Sequence, residues 1–145
     1  MKFLFFILLV SLIFGENSFA EEMHHHRMEA TAPILNKGKK WATDAVMKRN
    51  MDQIEKKFHE VEQLIKAKKI TDSDYVNFSQ LLIDSTQDII NNCKLEPKAD
   101  ETFHTAVLAP MLQAASELKN KDQQKSGLEK VRHALLQYPK YFKTN

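Results

Sequence analysis

Four separate stretches of this chain place large apolar residues three and four positions apart, and that spacing restricts the fold more than any other feature. In the first stretch Met47, Met51, Ile54, Phe58, Val61 and Ile65 follow one another at steps of 4, 3, 4, 3 and 4. Residues so spaced share one face of an α-helix, and a face that apolar must be buried against something. In the second, Tyr75, Phe78, Leu82, Ser85 and Ile89 repeat the pattern. The third carries Phe103, Val107, Met111, Ala114 and Leu118, and the fourth Leu128, Val131, Leu135, Tyr138 and Phe142. No stretch alternates with period two for long enough to be a strand. With only three glycines and four prolines in 145 residues, a loop-rich or β-rich fold is excluded. The reading is all-α: an up-down-up-down four-helix bundle over residues 38–145.

The helix ends are also legible. Thr43 or Asp44 can cap the first helix, since a short side-chain oxygen accepts from a free first-turn N–H. Thr71, Asp72, Ser73 and Asp74 supply a cap and first-turn acids for the second, where the helix dipole is positive. Pro97 opens the third, in a position where no N–H is lost. Pro110, inside the third stripe, predicts a kink, and Pro139 a kink or an end to the fourth helix.

The first 20 residues read differently. Met1-Lys2 is a short basic start, Phe3 to Phe14 is almost unbroken apolar sequence, and Ser18-Phe19-Ala20 is a small-x-small cleavage site. This is the pattern of a secretory signal peptide, too short to span a bilayer. Cleavage near Ala20 leaves 125 residues with the net charge still +2, and predicts a periplasmic or secreted protein. So small a charge argues against a nucleic-acid partner. The single cysteine, Cys93, excludes an internal disulfide framework and a c-type haem attachment. A lone thiol in an oxidising compartment must be buried or paired between chains, and a buried thiol in a monomer is expected.

Residues 21–37 have no hydrophobic period and are expected to form a flexible arm. The arm contains Met23, His24, His25, His26 and Met28: three imidazoles and two thioethers within six residues. Imidazole suits Cu(II), zinc and nickel, and thioether suits Cu(I), so copper is the foremost candidate. A non-functional polar tail is the plainer alternative. In the expected topology one end of the bundle gathers Met47, Met51, Cys93, His104 and Tyr138 beside the base of the arm. His104 flanks its stripe by about 60° and could extend a metal site or be a satisfied core histidine. Met47 and Met51 read equally well as core, and Cys93 as a small buried hydrophobe.

At Gly38-Lys39-Lys40-Trp41-Ala42-Thr43-Asp44, at Asn92-Cys93-Lys94-Leu95-Glu96-Pro97 with Ala99-Asp100, at Phe103-His104, and at Ala134-Leu135 with Tyr138 and Phe142, the chain resembles a family of small exported proteins of Gram-negative bacteria. The resemblance covers most of the chain after residue 20. It implies a periplasmic four-helix bundle, often with a His-rich stretch near the mature N-terminus. It implies no activity. Val46 stands where relatives often carry a proline in the first helical turn.

Two other functions are weighed against metal capture. Residues 37–69 carry ten basic and five acidic side chains, and residues 122–145 five and two, whereas residues 70–93 carry four acids and no base. A basic flank on the first and last helices could meet an anionic lipid or another protein, although a solvated surface is the plainer reading. A haem b bundle is the third. It is disfavoured because His133 points about 180° from its stripe and His59 about 120° from its own. Catalysis is not expected. There is no Gly-rich phosphate loop and no His-Glu-x-x-His, and the Glu101/His104 pair lacks the matching carboxylates of a di-iron site.

Overall fold

The computed structural model describes residues 32–144. They form α1 (Ala45–Lys66), α2 (Asp72–Asn92), α3 (Pro97–Phe103), a π turn (His104–Leu108), α4 (Ala109–Leu118) and α5 (Gln124–Tyr141). Apart from links and two isolated bridges the described residues are helical, so the all-α reading holds.

α1 and α2 begin where a side chain satisfies a free N–H group. The Asp44 carboxylate accepts from Met47 N–H at 2.8 Å at the start of α1. Thr71 and Asp74 form a reciprocal capping box at the start of α2. Pro97 occupies the first turn of α3.

Packing follows the apolar stripes. α1 lies against α2, α2 against α4 and α4 against α5, while α5 makes a thinner return contact with α1. Met47, Met51, Ile54, Phe58 and Val61 from α1 meet Phe78 and Leu82 from α2, with Phe103, Val107, Met111, Leu118, Val131 and Tyr138 completing one buried cluster. Of the stripe residues Ile65 and Tyr75 are half-buried, and so is Leu135. Leu135 lies on the thin α1–α5 side, where an open cleft of about 180 Å³ separates the helices.

The two internal prolines are accommodated in different ways. Pro110 has no N–H for the carbonyl of Ala106 and would crowd it in a regular α-helix. The irregularity is a π turn just upstream, in which Ala109 N–H reaches back to the His104 carbonyl. Pro139 does not end α5, which continues to Tyr141. Tyr138 and Phe142, buried on either side of it, hold the last turn in place.

Residues 32–44 do not run free. Asn36 and Lys39 exchange backbone hydrogen bonds of 2.8 and 2.9 Å across a two-residue loop. Lys37 and Gly38 have φ of 49° and 80°, the positive values that type I′ loops require. Beyond this loop Trp41 N–H donates to the Tyr141 carbonyl at 2.7 Å, and the Trp41 carbonyl accepts from Lys143 N–H at 2.9 Å. The Trp41 indole donates to the Ile34 carbonyl at 2.8 Å. The segment before α1 is thus strapped to the end of α5. The expected boundary between arm and bundle, at residues 37 and 38, falls in the middle of the hydrogen-bonded loop. Residues 32–37 belong to the strapped segment because Ile34 is held by Trp41 and by Thr102.

Candidate functional site

The bundle end formed by the start of α1, the end of α2, the start of α3 and the end of α5 collects most of the chemically interesting residues. Asp44 sits at its centre. Its carboxylate accepts from Met47 N–H at 2.8 Å and from Lys94 N–H at 2.9 Å, which ties α1 to the α2–α3 link. Burial opposes the charge on Asp44, but these bonds, with one from the Cys93 side chain, outweigh it and hold the carboxyl below its ordinary value. Cys93, the residue that ends α2, is half-buried. Its pKa is pushed up to about 12 by burial and by the neighbouring Asp44 carboxylate. The thiol is therefore protonated at neutral pH and a poor nucleophile.

Tyr138 is buried at the same end, stacked on Phe142 with ring centroids 5.7 Å apart. Its hydroxyl makes no well-aligned hydrogen bond among the described residues, although the Thr43 side chain lies near enough to favour its charged form, and burial still raises its pKa to about 12. Met47 and Met51 are core residues, at 0% and 2% exposure.

His104 differs from this group in burial. It is exposed at the first position of the π turn. Among the described residues no three or more His, Cys, Asp or Glu side chains converge to hold a metal ion. His104 is exposed, whereas Met47 and Met51 are buried and Cys93 is half-buried. Met23, His24, His25, His26 and Met28 lie outside the described residues.

The arm's root is nonetheless located. Thr102 donates its hydroxyl to the Lys98 carbonyl at 2.8 Å and accepts Ile34 N–H at 3.4 Å. Ile34 is therefore fixed on α3, two residues before the exposed His104. Sequence reasoning missed both this contact and the Trp41 strap. A lone tryptophan three residues before a helix cap was the available signal, and it does not name its partner.

The basic flank is divided by ion pairs. Arg49 pairs with Asp88 on α2 at 2.8 Å, and Lys48 and Lys57 pair within α1 with Asp52 and Glu60 at 3.5 and 3.1 Å. Arg132 of α5 bridges to Glu62 of α1 at 2.9 Å and lies over the Phe58 ring, 5.5 Å from its centroid. His59 and His133 are exposed. The α1–α5 cleft, lined by Met51, Asp52, Glu55, Leu135, Tyr138, Pro139 and Thr144, is smaller than the roughly 300–1,000 Å³ of typical ligand pockets.

No protein-family model matches the chain, and neither does any curated protein or solved structure.

Proposed function

We propose that the chain is an exported up-down-up-down four-helix bundle that captures a transition metal, copper foremost, with Met23, His24, His25, His26 and Met28 of the arm and His104 of the bundle. In this reading residues 1–20 are removed, and the protein acts in the periplasm or outside the cell. It is a monomer and a binding protein rather than an enzyme. The resemblance to small exported bundles with a His-rich start supports the same compartment.

The docking of Ile34 on Thr102 is the observation that carries this reading. It anchors the arm's root on the helical segment that presents His104. Ile34 lies six positions after Met28, and six extended residues reach about 20 Å. That is ample to bring the His-Met run to a side chain two residues from the anchor. The π turn beneath His104 is a further support, since such turns recur at functional positions. Imidazole ligands must be neutral to coordinate, so affinity falls as pH drops through about 6.5.

Titration of the chain from Glu21 onward with Cu(II) and Zn(II) tests the proposal. Copper should bind more tightly than zinc. A chain beginning at residue 32 should lose most of the affinity, and His104→Ala should weaken it. Copper affinity that survives removal of residues 21–31 would end the proposal.

A further inference from the structure

We propose that the strapped end of the bundle docks onto an anionic phospholipid surface, with Ile34 and Leu35 entering the headgroup region and the surrounding lysines meeting the phosphates. Ile34 and Leu35 are adjacent, large and apolar, and they are 45% and 41% exposed. They lead directly into the loop at Lys37-Gly38, whose hydrogen bonds hold Lys37, Lys39 and Lys40 at the same tip. Lys143 is brought beside Trp41 by the strap, and Lys94 beside Asp44 by its own N–H. Lys98 lies one turn before Thr102, the residue on which Ile34 rests. All six lysines are exposed.

Three exposed carboxylates, Glu96, Asp100 and Glu101, share this end, and the Asp44 charge is taken up by the N–H groups it caps. The cations are therefore in excess. Exposed apolar side chains ringed by lysine are the chemistry of an interfacial anchor: each cation gains from an anionic surface, and the lysine stems tolerate the boundary. No helix among the described residues is long and apolar enough to cross a membrane, so the contact is at the surface. The tip is also preorganised. Trp41 is 4% exposed and its backbone is bonded on both sides, so little order is lost on docking.

The far end of the bundle provides the control. Lys66, Lys69 and Lys119 are exposed there too. Charge alone would make the two ends equivalent, and the large exposed apolar pair would then be irrelevant.

The test is co-sedimentation of the chain from Glu21 onward with vesicles of phosphatidylcholine alone or mixed in equal parts with phosphatidylglycerol. A chelator is present throughout, so the outcome is independent of copper. Binding is expected only with phosphatidylglycerol, weakening as salt rises. The triple variant Lys37→Asn, Lys39→Gln, Lys40→Gln should reduce partitioning by at least about tenfold, asparagine being tolerated at the positive φ of position 37. Ile34→Ser with Leu35→Ser should reduce it by a similar factor. Substituting glutamine for Lys66, Lys69 and Lys119 should leave it within about twofold. An unchanged helical spectrum and thermal midpoint show that each variant is folded. No binding, equal binding to pure phosphatidylcholine, or an equal loss from the far-end variant overturns the proposal.

Discussion

Trp41 and Phe142 sit side by side in a short parallel pairing, one residue from just before the first helix and the other from just after the last. Trp41 is bonded through its N–H to Tyr141 and through its carbonyl to Lys143, the two neighbours of Phe142. Phe142 is fully buried between Phe103, edge-on at 5.7 Å, and Tyr138, stacked at 5.7 Å. The pairing closes the bundle by joining its first and last described segments. It also fixes the place from which the arm departs.

Phe142→Ala should therefore cost about 3–5 kcal/mol, as emptying a large buried aromatic site does. Denaturant unfolding measures the cost. Trp41 is the chain's one tryptophan and reports on the strap directly. Its emission should shift to the red in the folded variant if the strap opens. A cost below about 1 kcal/mol would place Phe142 outside the cooperative core.

Asp44 joins the start of α1 to the α2–α3 link, and its removal should be more costly than that of an ordinary cap. Losing a capping side chain costs about 0.5–2 kcal/mol. Asp44→Ala should lie at the upper end because the Lys94 N–H is orphaned with that of Met47. The pH dependence follows from the lowered carboxyl pKa. The folded state favours the ionised form, so its stabilisation is complete above the ordinary value of 3.8 and is lost as pH falls below that through the lowered one. Stability curves of wild type and Asp44→Ala should converge in that acidic window. Curves that stay parallel into it would mean that the ionised carboxylate is not what holds the α2–α3 link.

The helical stripes were legible because burial imposes a period on consecutive residues. Met47 to Val61, Phe78 to Ile89 and Leu128 to Tyr138 each carry their own evidence within a few turns. The caps at Asp44, Thr71 and Pro97 were legible for the same reason, since capping chemistry is local. The Trp41–Phe142 pairing was not. It joins an aperiodic segment to the last residue of the fourth stripe, about a hundred residues away, and neither specifies the other. His104 flanks its stripe, and a helical wheel does not say whether such a position is covered; in the structure it is exposed at the first position of the π turn. Leu135 was counted as core because its stripe is regular, yet burial also needs a neighbour, and α5 meets α1 only thinly there.

Gly127 shows how close α5 comes to α4. A Cβ built there would lie 3.1 Å from the Ala114 carbonyl oxygen and 3.1 Å from Leu118 Cγ. Replacing glycine by alanine inside a helix ordinarily gains about 0.5–1 kcal/mol. Here the methyl presses on a backbone carbonyl that cannot swing away, and overpacking costs about 1–3 kcal/mol. Gly127→Ala should be net destabilising, by about 1 kcal/mol, in chemical denaturation. A stabilised variant would show that the α4–α5 contact relaxes freely.

Cys93 offers the most local test of the bundle end. Its pKa is pushed up to about 12, first by burial and then by the Asp44 carboxylate beside it. At pH 8 almost no thiolate exists, and the thiolate is the form that reacts. Native protein should therefore react with a disulfide reagent far more slowly than unfolded protein at the same pH. Asp44→Asn removes the negative charge while keeping an oxygen for the cap. It should speed labelling at pH 8 while the protein stays folded, and shift the midpoint of rate against pH downward. Burial alone predicts a slow thiol whose rate ignores residue 44, so an unchanged profile in Asp44→Asn would separate the two causes and remove Asp44 from the account. The same low reactivity predicts that oxidised preparations remain monomeric on non-reducing gels, and a disulfide-linked dimer formed by folded protein would show that the thiol is not shielded.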